Sequence, residues 1–293
     1  MINQILIFIL PLLVTAAQAT EIDNTTSFYQ PIADSEAVLN AKVQELIIKS
    51  RALDYGCNRR VLARQASAEL VGNIIFGTVE YFANNSDQVA RAYTPVEKSI
   101  YRGTPYQGGI VDTFVNLGPT VNVAGIHVGT DKLGHFFDMG YDLYQRSLRG
   151  HSIADLLAQS RREQSGLWGA LTTGVKSYGD IASNFDGYRF WKEFSEEGPG
   201  AYFICEGGRF KQVRVFTWSD YVSDAWSEAI NCSEYWSKAY TDPIARNVRS
   251  LEVQSGRRYA CPIFPERCEV LRDHYASWIP RDQINQIISP LCR

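Results

Sequence analysis

After residue 19 this chain has no long apolar run, no block of like charge, few histidines and no closely spaced cysteine pair. Each shortage closes off a class of function. Without a second long apolar segment nothing would hold the chain in a bilayer, so no stable membrane insertion is expected. The formal net charge of −3 leaves no basic footprint for nucleic acid or acidic lipid. Gly-x-x-x-x-Gly-Lys-Ser/Thr and Gly-x-Gly-x-x-Gly are absent, which removes the phosphate cradles of nucleotide-binding proteins. Gly-x-Ser-x-Gly, the serine elbow of many hydrolases, is absent too. The 4 histidines, His127, His135, His151 and His274, form neither His-x-x-x-His nor His-Glu-x-x-His. No cofactor and no metal are expected on these grounds.

What is present begins with export. Residues 5–14 are an apolar core, and Ala17-Gln18-Ala19 is a small-x-small cleavage site. Residues 1–19 are therefore expected to be a secretory signal peptide, leaving a periplasmic or secreted chain that starts near Thr20. No cysteine follows the cleavage site to carry a lipid. Cys57, Cys205, Cys232, Cys261, Cys268 and Cys292 all lie in the mature chain, where an oxidising compartment lets them pair. Six cysteines allow fifteen connectivities, and sequence does not choose among them. Four of the six lie beyond residue 231, which predicts a stapled C-terminal part.

Hydrophobic residues at 45% and charged residues at 21% describe an ordinary globular protein, long enough at 293 residues for a sizeable core. Hydrophobic periodicity predicts helices from Asp34 through Ile47, from Arg60 to about Phe82, from Asp131 to Gly150 and from Ser152 to about Gln164. Further helices are expected over 177–194, 219–230 and 235–251. Short strands are expected near Val121 to Val128, with a hairpin turning on Glu206-Gly207-Gly208-Arg209. The fold class is α+β, mainly α-helical. Residues 20–198 form the helical core and residues 199–293 a cysteine-rich part, separate or joined to it. The 16 Tyr and 6 Trp either line a carbohydrate groove or fill the core.

Residues 129–144 concentrate the chemistry. Asp131, His135 and Asp138 fall at offsets of four and three residues, on one helix face otherwise rich in Phe136, Phe137, Tyr141 and Tyr144. Buried polar groups among aromatics require hydrogen-bond or metal partners. Asp131 and His135 are expected to brace a second helix through Asp180 or Asn184.

The run Glu163-Gln164-Ser165-Gly166-Leu167-Trp168-Gly169, then Ser177-Tyr178-Gly179-Asp180, then Asn184-x-x-Gly187-Tyr188-x-Phe190-Trp191, resembles the catalytic portion of the lysozyme and lytic transglycosylase superfamily. The blocks Gly-x-Asp-Lys-x-x-His-Phe-Phe and Thr-Gly-Val-x-Ser-x-x-Asp are similar to those of exported lysozyme-like proteins. This likeness implies a lysozyme-like helical core with small β-hairpins and a glycosidase acting on peptidoglycan or another envelope glycan. It implies Glu163 as general acid, with Trp168, Tyr178 and Thr173 along the sugar groove. A glutamate at a helix end beneath apolar residues has its carboxyl raised by desolvation, as that role needs. No acid occurs between Glu163 and Asp180, so Asp138, Asp180 or single-glutamate lytic chemistry must complete the mechanism.

Two other readings compete. One is a metal-dependent hydrolase using His135 with Asp131 or Asp138. The other is a non-catalytic envelope-binding or scaffold protein, because Asp131-Lys132-x-x-His135-Phe136 and Asp180-x-x-x-Asn184-x-x-Gly187 also resemble the two signature blocks of VanZ-type helix pairs.

Overall fold

A computed structural model describes residues 21–72, 77–105, 117–166 and 173–293. The expected signal peptide and Trp168 lie outside the described residues. The fold is α+β and mainly helical.

Helix α1, Glu36–Lys49, buries Leu39, Val43, Leu46 and Ile47 on one stripe. The helix expected from residue 60 to 82 is two: α2, Arg59–Leu70, and α3, Thr78–Asn85. Asn58 caps α2 by accepting the Val61 N–H, and Gly72, at φ +78°, turns the chain away beyond its end. Strands β1 (Arg91–Ala92), β2 (Thr120–Val123) and β3 (Ile126–Gly129) form one antiparallel sheet. Its β2–β3 turn, Ala124-Gly125, has positive φ at both residues, the hand that suits a two-residue hairpin.

Helix α4, Asp131–Ser147, follows directly, then α5, Ile153–Ser165, with the Ser152–Asp155 capping box read from sequence. After β4 (Val175–Lys176) comes α6, Tyr178–Ser195, capped by Ser177. Hairpin β5–β6, Phe203–Glu206 and Arg209–Gln212, turns on Gly207-Gly208 as expected. Strand β7, Glu234–Tyr235, pairs with β4, and helices α7 (Lys238–Ser255) and α8 (Arg267–Ala276) follow.

The helix expected over 219–230 is instead two short 3₁₀ turns, Trp218–Asp220 and Asp224–Trp226. Ser223 gives the Ala225 N–H a side-chain acceptor, and such local bonds compete with the helical ladder. This irregular path buries Trp218 and Trp226.

Helices α4 and α6 are the centre of the molecule, and they touch backbone to backbone. A Cβ on Gly187 would run into the Phe136 carbonyl, and one on Gly140 into the Gly187 backbone. Around the crossing Phe136, Phe137, Phe190, Phe216, Trp218 and Trp226 pack as a continuous aromatic core. Trp191 joins them and donates its indole N–H to the Phe137 carbonyl at 2.9 Å. Core filling is thus the role of these tryptophans, whereas Trp236 and Trp278 are exposed. The core draws on residues from Leu39 to Cys292, so both parts of the chain share it.

All six cysteines pair, as Cys57–Cys205, Cys232–Cys261 and Cys268–Cys292. These bonds fit an oxidising extracellular compartment. Among the described residues no helix is long and apolar enough to cross a membrane.

Candidate functional site

The first turn of α4 meets the first turn of α6 in a buried knot of charge. Lys132, 1% exposed, places its ammonium 2.8 Å from Asp131 Oδ2, 2.5 Å from Asp180 Oδ1 and 2.7 Å from Glu228 Oε1. Ser177 donates its hydroxyl to the same Glu228 oxygen at 2.6 Å. One ammonium so surrounded offsets the desolvation of three carboxylates, and losing it would expose their mutual repulsion.

His135 lies one turn along α4. Its Nε2 is 3.1 Å from Asp180 Oδ2 and its Nδ1 is 3.1 Å from Asn184 Oδ1. Asn184 is oriented by donating its amide to Ser160 Oγ at 2.8 Å, which leaves an oxygen toward the ring. Both ring nitrogens therefore face acceptors, and both carry protons in this arrangement. Burial opposes the imidazolium, but Asp180 and Asp131 outweigh it and raise His135 to about 9. Burial likewise works against ionised Asp180, yet His135 and Lys132 hold it well below the usual carboxylate range. Asp131 is lifted by burial to about 6, with Lys132 pulling the other way.

Two further carboxyls reach this region from other elements. Glu80 of α3 lies against the bare backbone of Gly134, where a Cβ would collide with its carboxyl. Burial, reinforced by Asp131, pushes it up to about 8. Glu21, also buried, is raised well above its ordinary value by burial and then by Glu228.

Glu163 stands near the end of α5 and is partly exposed. Its Oε1 accepts from Gln159 at 2.8 Å, and its Oε2 is shut off from water with no hydrogen-bond partner among the described residues. Burial raises its carboxyl, the Gln159 bond opposing. Its charged neighbours are Asp142, Arg146 and His135. Arg146 Nε lies 2.6 Å from Asp142 Oδ2, and Asp138 is exposed one turn before Asp142 on α4.

The structure thus brings Asp131, His135, Asp180 and Asn184 together. It places Asp180 in ion pairs, held by Lys132 and His135, rather than free to attack or protonate a substrate. Tyr178 corrects the groove assignment. It is fully buried, its hydroxyl donates to Glu234 Oε1 at 2.7 Å, and its ring faces away from solvent beneath Lys176 and Arg161. Thr173 is also buried, its hydroxyl accepting the Val175 N–H at the turn into β4. Sequence reasoning missed Glu21, Glu80, Asp142 and Glu228, none of which carries a local motif. Lys132 was visible beside Asp131, but nothing local marked it as the hub.

The raised groups set a pH dependence. Glu80 rises from 4.5 to about 8 and His135 from 6.5 to about 9, so each binds its proton more tightly folded than unfolded. Their contributions are complete below 4.5 and 6.5 respectively, and are lost as pH climbs through those folded values. We expect the unfolding free energy to fall by at least about 2 kcal/mol between pH 6 and 9.5. Denaturant titrations at the two pH values measure it, and Glu80→Gln should make the slope shallower. Equal stability at both would contradict the coupling. No protein-family model, curated protein or solved structure matches this chain.

Proposed function

We propose that the chain is an exported glycosidase acting on envelope glycans, peptidoglycan first, as a lysozyme-like muramidase or a lytic enzyme, with Glu163 as its general acid. The observation that supports this most is the state of that carboxyl. It is raised by burial, with one oxygen lacking a partner among the described residues, yet the side chain keeps part of its surface open beside the acidic face of α4. A glycosidase needs a carboxyl that still holds its proton near neutral pH while touching the leaving oxygen. Asp142 and Asp138 are the carboxylates on the adjoining helix that could orient water, and a single glutamate suffices for the lytic route. The lysozyme-like motif order and the paired cysteines support the glycan substrate and the periplasmic or secreted location.

Glu163→Gln keeps the shape of the side chain and removes the proton. We expect it to lower the rate of glycan cleavage by about 10²–10⁴ with the melting temperature unchanged. Native and de-N-acetylated peptidoglycan should both be offered, with mass analysis separating a hydrolytic reducing end from an anhydro product. Cleavage that survives in Glu163→Gln would move the acid elsewhere, Asp138 next. A scaffold role is the second reading, favoured by how completely Lys132, Asp131, Asp180 and Glu228 satisfy one another. Specific glycan binding without cleavage by the oxidised wild type would support it.

A further inference from the structure

We propose that Asp131, His135 and Asp180 form a site for a divalent transition-metal ion, zinc above all, with the buried carboxyl of Glu80 beside it. The proposal concerns a different set of side chains from the glycan-cleaving acid and stands or falls without it.

One ligand atom from each of Asp131, His135 and Asp180 lies within 4.8 Å of the others. His135 Nε2 and Asp180 Oδ2 are 3.1 Å apart. Two ligands bonded to one zinc at 2.0–2.1 Å with tetrahedral angles stand about 3.3 Å from each other, so this edge of the polyhedron is already set. The ring is aimed by Asn184, whose oxygen takes the Nδ1 hydrogen, the usual outer support of a metal-bound histidine; Nε2 faces the carboxylates, and the ion takes the place of its proton, which leaves to solvent. Lys132 holds Asp131 by Oδ2 and Asp180 by Oδ1; the second oxygen of Asp131 accepts the Lys132 backbone N–H at 2.8 Å, and that of Asp180 faces His135 Nε2.

Glu80 supplies the independent observation. It comes from a different helix, is 9% exposed, and its carboxyl has no hydrogen-bond partner among the described residues. It rests against Gly134, the residue between the turns that carry Asp131 and His135. A buried carboxyl without a partner is costly, and a cation shared with Asp131 and Asp180 would give it one. One imidazole with carboxylate oxygens suits zinc or manganese, whereas calcium and magnesium favour oxygen alone.

The test uses the full oxidised chain without an affinity tag, stripped with EDTA and dialysed. Zinc chloride and manganese chloride are titrated by calorimetry and by thermal melting, with calcium and magnesium chloride as comparisons. We expect one equivalent of zinc per chain, a raised melting temperature, and visible d–d bands when cobalt(II) replaces zinc. Glu80→Gln and His135→Gln should each weaken zinc binding at least tenfold, and circular dichroism on the same samples confirms that each variant is folded. Absence of stoichiometric uptake would overturn the proposal. So would zinc affinity unchanged in folded Glu80→Gln and His135→Gln, because the ion would then be bound elsewhere. Neither readout needs glycan cleavage, so failure here is distinguishable from failure of the acid assignment.

Discussion

Lys132→Met is expected to lower the unfolding free energy by about 3–5 kcal/mol, the range for removing one partner of a buried ionic network. Methionine fills nearly the same space, so the loss reports charge rather than volume. Asp131, Asp180 and Glu228 would keep their burial, with His135 the nearby cation on Asp180. A second change, Glu228→Gln in the Lys132→Met background, should restore part of the loss, since it removes one of the uncompensated carboxylates. Urea titrations of the four proteins in this cycle give the coupling directly. A loss below about 1 kcal/mol would mean that water or a rearranged carboxylate replaces the ammonium, and the network would not be what fixes the first turns of α4 and α6.

The second large effect is steric. Gly187→Ala adds a single methyl, which the crossing of α4 and α6 has no room for, because the nearest atom is the backbone carbonyl of Phe136. Alanine is the better helix former by about 1 kcal/mol, but a clash with backbone cannot be relieved by turning a side chain. We expect a net loss of about 2–3 kcal/mol, with a weakened near-ultraviolet spectrum as the aromatic layer around Phe136 and Phe190 loosens. Gly140→Ala meets the same interface from the other side and should behave alike. Full stability in Gly187→Ala would show that the two helices part without cost.

The helices that carry the site were legible because their signals are local. Asp131 opens α4, Ser152 and Asp155 cap α5, and Ser177 caps α6, each within a few residues of where the pattern placed it. The partners of His135 were legible for the same reason: fixed offsets on one helix face demand something polar opposite. The rest depends on separation along the chain. Glu228 reaches Lys132 across 96 residues from a segment of irregular turns, and Glu80 reaches Gly134 from a helix whose own pattern says only that one face is buried. Tyr178 misled because an aromatic residue beside catalytic-looking motifs reads equally as platform or core. Only the position of Glu234, on a strand paired with β4, decides between them.

The three disulfides have a property that depends on neither their energy nor their geometry. Numbered along the chain, the cysteines join first to second, third to fourth and fifth to sixth. No bridge crosses another. For a chain threaded into an oxidising compartment from its N-terminus, each thiol that emerges finds one unpaired thiol already waiting, and that thiol is its native partner. Of the fifteen pairings open to six cysteines, the native one is the set that first-come oxidation produces, with no wrong bridge to undo.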